Sequence, residues 1–363
     1  MGGRSGAVRI PGEFTAATFG FAATMPLMPT TTTNPFVRAK VVAHSVYPGG
    51  PEIVSVQATG QRFILSELNT HRGLNKNSAS SRAIPFPKQV QKIVDNLAYP
   101  EVWASEQKGM QGGDEIEHIE DWVDEEGVSR PGARSLWRMA SAQAIWMARD
   151  LAALGVHKSL VNRLLEPFMW HTVILTGTAW ENFFDQRCHP DAQPEIRVMA
   201  ESIRTAIQNS TPRTLGEGEW HLPYVDDETR QELDSRDSRP RAEFGRHHEN
   251  LLAQISAARC ARVSYLTQEG KRDIDADLNL YLRLTDRQKD AIHAHSPIHW
   301  SPLEHVATPW PENRHPVGDL SFPSADGETL HLPNTDLPII GNLLGWRSLR
   351  VEVESEKRVV TYR

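Results

Sequence analysis

The thirteen residues from Thr70 to Arg82 read Thr-His-Arg-Gly-Leu-Asn-Lys-Asn-Ser-Ala-Ser-Ser-Arg and concentrate the side chains of this chain best suited to chemistry. Arg72 and Arg82 can bind phosphate through two parallel hydrogen bonds, or pair with a pyrimidine carbonyl, while Ser78, Ser80, Ser81 and the local amides add short-range donors. His71 can donate to an electron-rich ring and titrates near neutral pH. Taken alone, such a segment reads equally well as an anion site or as a solvated basic loop.

The flanking sequence supplies elements to position it. Ala39–Tyr47 and 53–59 alternate in strand fashion around Gly49-Gly50-Pro51. Arg62–Asn69 reads as a helix that delivers His71. Residues 101–131 carry Gly-Gly, an acidic run and Pro131, the marks of a surface insertion. Ala133–Leu154 is a long amphipathic helix closed by Gly155, and Ser159 is placed to cap a second helix running through Leu165. Pro194–Ile207 has helical periodicity with proline in its first turn. Residues 210–248 are polar and read as a linker or long surface loop. Leu251–Arg350 holds a helix, a histidine-rich turn and a terminal strand-like piece.

Composition sets outer limits. With 363 residues, 39% hydrophobic and 23% charged, the chain can bury one large core or two modest ones. A net charge of −7 argues against coating nucleic acid, which requires a basic face, so no direct nucleic-acid binding is expected. Two cysteines, Cys188 and Cys260, fit a reducing cytoplasm, and no apolar run is long enough to span a bilayer. Residues 1–34 are rich in Gly, Ala, Thr and Pro and read as a disordered leader. Residues 35–363 read as a single catalytic domain with insertions near 101–131 and 210–248. His293, His295, His299 and His305 lack the spacing of a catalytic zinc site, so no metal is assigned.

Three segments resemble the flavin-dependent thymidylate synthases, as a divergent phage-type member. The signature of that family runs Arg-His-Arg, seven residues, Ser, one residue, Arg; here it falls on His71, Arg72, Ser80 and Arg82, with Thr70 at the first arginine. Arg163-Leu164-Leu165-Glu166-Pro167, Asn182-Phe183-Phe184, Arg187 and Ala192-Gln193-Pro194-Glu195-Ile196 are similar to the family's C-terminal helices, about three residues short between Pro167 and Asn182. Ala261-Arg262-Val263-Ser264 and His299-Trp300-Ser301-Pro302-Leu303-Glu304-His305 resemble its opening motifs, yet they follow the others here. The order looks circularly permuted, and 341–350 sits where a degenerate second copy of the basic segment would fall.

The resemblance implies an α+β fold, a curved and mostly antiparallel sheet packed against long helices, assembled as a homotetramer whose sites draw on several subunits. It also implies FAD, NADPH and 5,10-methylenetetrahydrofolate, small-molecule nucleotide and folate substrates, a cytoplasmic location (host cytoplasm if viral), and no attack by an enzyme cysteine. The reaction it implies is one-carbon transfer to C5 of a pyrimidine deoxynucleotide, dUMP to dTMP. His71, Arg72, Asn182, Ser264, His299, Ser301 and Glu304 are expected at the flavin. Glu67, Ser80, Ser81, Arg82, Arg163 and Arg187 are expected at the nucleotide, with Arg187, Ser80 and Arg163 closest to the chemistry. Glu67 stands where the family often has glutamine, and a carboxylate there hints at a cytosine substrate; the alternatives are a flavin-dependent methylase or hydroxymethylase of dCMP or dUMP for modified viral DNA, and a non-catalytic flavin or nucleotide binder.

Overall fold

The alternation of the first two strand-like runs closes into a hairpin, β1 (Arg38–Val46) against β2 (Ile53–Gln61), turning through Gly49 at φ 77°. In this computed structural model the described residues are 36–109, 111–216, 218–236, 241–267, 270, 272–285, 299–310, 322–323, 329–330, 339–340 and 342–357. The leader expected over 1–34, and His293 and His295, lie outside them. Asn34–Arg363 forms one compact unit.

A short 3-10 turn, Arg62–Ile64, and α1 (Leu65–Thr70) lead from β2 to β3 (Asn75–Ser78). Next come α2 (Phe86–Asp95), the small hairpin β4 (Trp122–Val123) and β5 (Ser129–Arg130), and α3 (Ala133–Ala153), closed by Gly155 at φ 84°. The second helix expected there does not run to Leu165. It is one turn, α4 (Lys158–Val161), capped by the His157 side chain rather than by Ser159, and Asn162–Phe168 tightens to 3-10 geometry around Pro167. Strand β6 (Trp170–Gly177) follows, then α5 (Glu181–Arg187), α6 (Pro194–Gln208) and β7 (Arg213–Thr214). The remaining helices are α7 (Asp227–Arg236), α8 (Arg241–Arg262), α9 (Ile274–Leu284), α10 (Trp300–Leu303) and α11 (Leu349–Lys357), with β8 (Ala307–Pro309) pairing with Trp346–Ser348.

Five strands form the main sheet in the order β3-β6-β2-β1-β7, antiparallel except for the short β1–β7 pair. Strand β2 is buried along its full length, although its sequence alternates apolar with polar residues. Val54, Val56 and Ala58 pack with Val173, Leu175, Phe183, Ile196, Met199 and Ile203 beneath α5 and α6. The opposite face carries Ser55, Gln57 and Thr59 in register with Thr176, Ile174 and Thr172, and His221, Tyr224 and His305 reach it from later in the chain.

That covering corrects the expectation of a loop over 210–248. Trp220, Leu222 and Leu233 are buried against Leu252, Ile255, Tyr281 and Leu303 in a second core. Tyr224 takes the left-handed φ of 64°, uncommon for a tyrosine, and is held there from three sides. Its hydroxyl donates to Gln57 Oε1 at 2.9 Å, its carbonyl accepts from Arg259 Nη1 at 2.8 Å, and its amide donates to Val42 at 3.3 Å. Buried Arg259 also pairs with buried Asp277 at 2.8 Å, so a charged pair with satisfied hydrogen bonds pins α8 to α9.

Polar groups of the covered face join into one chain. Ser45 Oγ meets His221 Nδ1 at 2.9 Å, His221 Nε2 meets Ser55 Oγ at 2.8 Å, Ser55 meets Thr176 at 2.5 Å, and Thr176 meets His305 Nδ1 at 2.8 Å. Burial pushes both imidazoles down to about 3, His44 and His305 adding to the effect at His221, so both are neutral.

Candidate active site

Helix α1 is anchored by buried Leu68 and ends at His71, where the backbone turns extended at φ −80°, ψ 92°. Thr70, at the position of the family's first arginine, donates its hydroxyl to Glu67 O at 2.6 Å and accepts from Arg187 Nη2 at 2.8 Å. Arg187 also donates to Glu67 O at 3.2 Å, while its Nε is buried without a partner. The threonine thus ties α5 to α1, and Arg187 is not engaged with Asp185. The His71 ring lies edge-on to Phe183 at 5.1 Å. Burial, then the Lys76 and Arg187 cations, lower the His71 pKa from its usual value, against a hydrogen bond with Gln186 that raises it. A neutral imidazole results near pH 7.

The turn carrying Ser80, Ser81 and Arg82 is held by its backbone. Ala79 N donates to Thr172 O at 2.8 Å and Ser80 N to Ser264 O at 3.0 Å. Asn162 Nδ2, from a buried side chain, donates to Ser81 O at 2.6 Å and Ile84 O at 3.0 Å, and Arg62 Nη1 donates to Ala79 O at 2.9 Å. Ser80 and Ser81 line a cavity of about 430 Å³ together with Arg38, Gln57, Arg62, Gln89 and Lys92. Arg62 reaches three groups at once, since it also donates to His171 Nδ1 at 2.8 Å and to Glu166 at 3.3 Å. The sequence reading passed over Arg62, Asn162, Gln89 and Lys92. Each is one polar residue in an ordinary helical or turn context, and no local pattern marks Arg62, Gln89 and Lys92 as cavity-lining or Asn162 as the prop of the turn.

Arg72 and Arg82 are exposed and pair with no described carboxylate, so both guanidinium groups are free to meet an anion. Arg163 is exposed too, and donates to Glu166 at 2.9 Å, which makes it part of a shared carboxylate with Arg62. Asn182 is exposed near the start of α5. Glu67 is half-buried and accepts from Ser66 Oγ at 2.7 Å.

The C-terminal motif residues dock on β3. Ser301 Oγ donates to Lys76 O at 2.7 Å, Asn75 Nδ2 donates to Glu304 O at 2.7 Å, and Ser264 Oγ meets Asn77 Oδ1 at 3.4 Å. Glu304 forms an ion pair with Arg350. Ser301 therefore does not cap a helix: α10 has four residues and begins after His299, whose exposed side chain caps nothing. His305 is buried on Thr176 and His248 is buried beside Asp234. Among the described residues no group of three or more His, Cys, Asp or Glu is placed to hold a metal.

Neither cysteine is a poised nucleophile. Burial raises the pKa of Cys188, with Glu201 adding to the shift and Arg204 opposing it, and burial raises that of Cys260 further. Among the described residues no helix is long and apolar enough to cross a membrane.

Fold and site together define an α+β protein, with a basic polar turn beside an antiparallel sheet and an arginine from a second helix docked on it. Residues 54–213 match the family model described as "Thymidylate synthase complementing protein". That stretch holds His71, Arg72, Ser80, Arg82, Arg163 and Arg187. Two solved structures are similar, both of a UMP/dUMP methylase, PolB, from Streptomyces cacaoi. The complex with 5-Br dUMP is 17% identical with a TM-score of 0.30, aligning 43% of this chain with 66% of that one. The complex with 5-Br UMP is 14% identical with a TM-score of 0.31, aligning 48% with 89%. No curated protein matches the chain.

Proposed function

We propose that this protein transfers a one-carbon unit from 5,10-methylenetetrahydrofolate to C5 of a pyrimidine deoxynucleotide, converting dUMP to dTMP with FAD and NADPH. The observation that carries the reading is the docking of Arg187 onto Thr70 and Glu67, beside His71. It joins two motif segments of the family that lie more than 100 residues apart in the chain.

The donor set around His71 suits a flavin: a neutral imidazole, the exposed Arg72 guanidinium, which pairs with no described carboxylate, and the exposed Asn182 amide offer hydrogen bonds to ring carbonyls and phosphate. Ser264, Ser301 and Glu304 are engaged by β3 and Arg350, so their contribution is to hold the strand under the cofactor rather than to touch it. When bound, reduced flavin supplies the electrons and relays the one-carbon unit.

The chain's own residues then bind and polarise. Arg82, Ser80 and Ser81 meet the nucleotide phosphate. Arg187 donates to a pyrimidine carbonyl as negative charge develops on the ring, and Arg163 neutralises from the opposite edge. The C5 proton would be lost to solvent as the methylene unit takes its place, a hydride equivalent drawn from NADPH by way of the flavin would bring that unit to methyl, and no thiolate adds to C6.

A second reading rests on Glu67. Its carboxylate belongs to the residue whose carbonyl receives Arg187, where it would accept a hydrogen bond from an exocyclic amine, which favours methylation or hydroxymethylation of dCMP. Absorbance of the purified protein and C5-tritium release from dUMP and from dCMP, with folate and NADPH present, test both. A colourless protein that also fails to bind added FAD overturns the assignment. Release from dCMP alone selects the second reading.

A further inference from the structure

Helix α3 is apolar on two faces, and the described fold covers one of them. Trp137, Ala144, Ile145, Ala148, Leu151 and Ala152 pack with Val90, Ile93, Leu165 and Phe168. On the other side, Leu136, Met139, Trp146, Met147 and Leu154 remain 52%, 59%, 45%, 46% and 81% exposed. Their spacing of i, i+3, i+10, i+11 and i+18 places them on one stripe about 27 Å long at 1.5 Å per residue. A contiguous apolar patch of this extent on a folded chain marks an interaction surface. Two polar residues, Gln143 and Asp150, fall within the stripe, and neither side chain bonds a described residue.

The order of residues along the stripe specifies what covers it. Set two copies of α3 antiparallel about a two-fold axis between Trp146 and Met147. Trp146 and Met147, on either side of the seam, then each lie against their own counterpart next to the axis, Met139 comes level with Leu154, and Gln143 faces Asp150. The only two polar residues of the stripe meet, so the Gln143 amide donates to the Asp150 carboxylate on both sides of the axis. The stripe is self-complementary, as an isologous interface requires. We propose that α3 is a homodimer interface, with a second copy of this chain packed antiparallel in this register. The resemblance implies an oligomer without saying which face forms it, and this assignment is independent of the proposed reaction.

The full-length protein would be examined by light scattering and sedimentation, with circular dichroism to follow helix content. The wild type is expected to carry an even number of copies. Met147→Glu places two carboxylates at the axis and is expected to lower the number of copies by at least half at unchanged helicity, since the position is on the exposed face. Gln143→Glu sets carboxylate against carboxylate and is expected to weaken association about tenfold or more. The double variant Gln143→Glu, Asp150→Gln restores one carboxylate facing one amide and is expected to recover it. A monomeric wild type, an oligomer indifferent to Met147→Glu, or a double variant no better than Gln143→Glu alone would overturn the proposal. None of these outcomes depends on flavin or turnover, so the reaction assignment stands or falls separately.

Discussion

Mild acid should unfold this protein, and three fully enclosed histidines supply most of the cause. His171, His221 and His305 are each fully enclosed, and burial depresses each from 6.5 to about 3, with the Arg62 guanidinium adding to the effect at His171. Each is neutral when folded and takes up a proton near pH 6.5 when unfolded. Depressed folded values mean that the stability present above pH 6.5 is lost as pH falls from 6.5 toward 3. One proton per histidine corresponds to about 1.4 kcal/mol per pH unit, so by pH 5 each group costs about 2 kcal/mol and the three together about 6. A domain of this kind has on the order of 5 to 15 kcal/mol in total. Glu249, whose pKa is raised first by burial, opposes the trend with one proton at most. Urea denaturation followed by circular dichroism at constant ionic strength, from pH 7.5 to pH 5, reads the slope directly. His305→Gln removes one titrating group, and the slope should fall by about a third whatever the variant's absolute stability. A free energy of unfolding that stays level to within about 1 kcal/mol over this range would refute the assignment of three buried neutral imidazoles.

Other outcomes follow from single contacts. Arg187→Ala deletes a guanidinium that donates to Thr70 and Glu67, and turnover is expected to fall by an amount on the order of 2 to 4 kcal/mol in transition-state stabilisation while flavin stays bound; unchanged turnover would remove Arg187 from the site. Cys188→Ala and Cys260→Ala should each retain most of the activity, because burial holds both thiols protonated, and loss of turnover in a folded variant would point to a cysteine mechanism. Phe183→Ala removes a fully buried ring between the sheet and α5, and should cost about 3 to 5 kcal/mol by urea melting, with His71 losing its edge contact.

Sequence alone determined the elements whose signals are local. Alternation marked β1 and β2, proline in the first turn marked α6, and Gly155 marked the end of α3, because period and backbone restriction act over a few residues. The motif residues His71, Arg72, Ser80, Arg82, Arg163 and Arg187 were legible for the same reason, as fixed types at fixed spacing. What required the tertiary structure depends on partners far along the chain. The polar face of β2 reads as solvent-facing, yet Tyr224, His221 and His305 enclose it, and nothing near Ser55 or Gln57 announces a partner more than 100 residues away. Residues 210–248 read as a linker or long surface loop because Trp220, Leu222 and Leu233 are scattered through polar sequence, and only packing on α8 gives these three a core. Arg62 shows nothing of its role until folding brings Ala79, Glu166 and His171 within its reach. Local propensity is written in neighbours, whereas burial of a polar group is decided by whichever distant segment arrives to satisfy it.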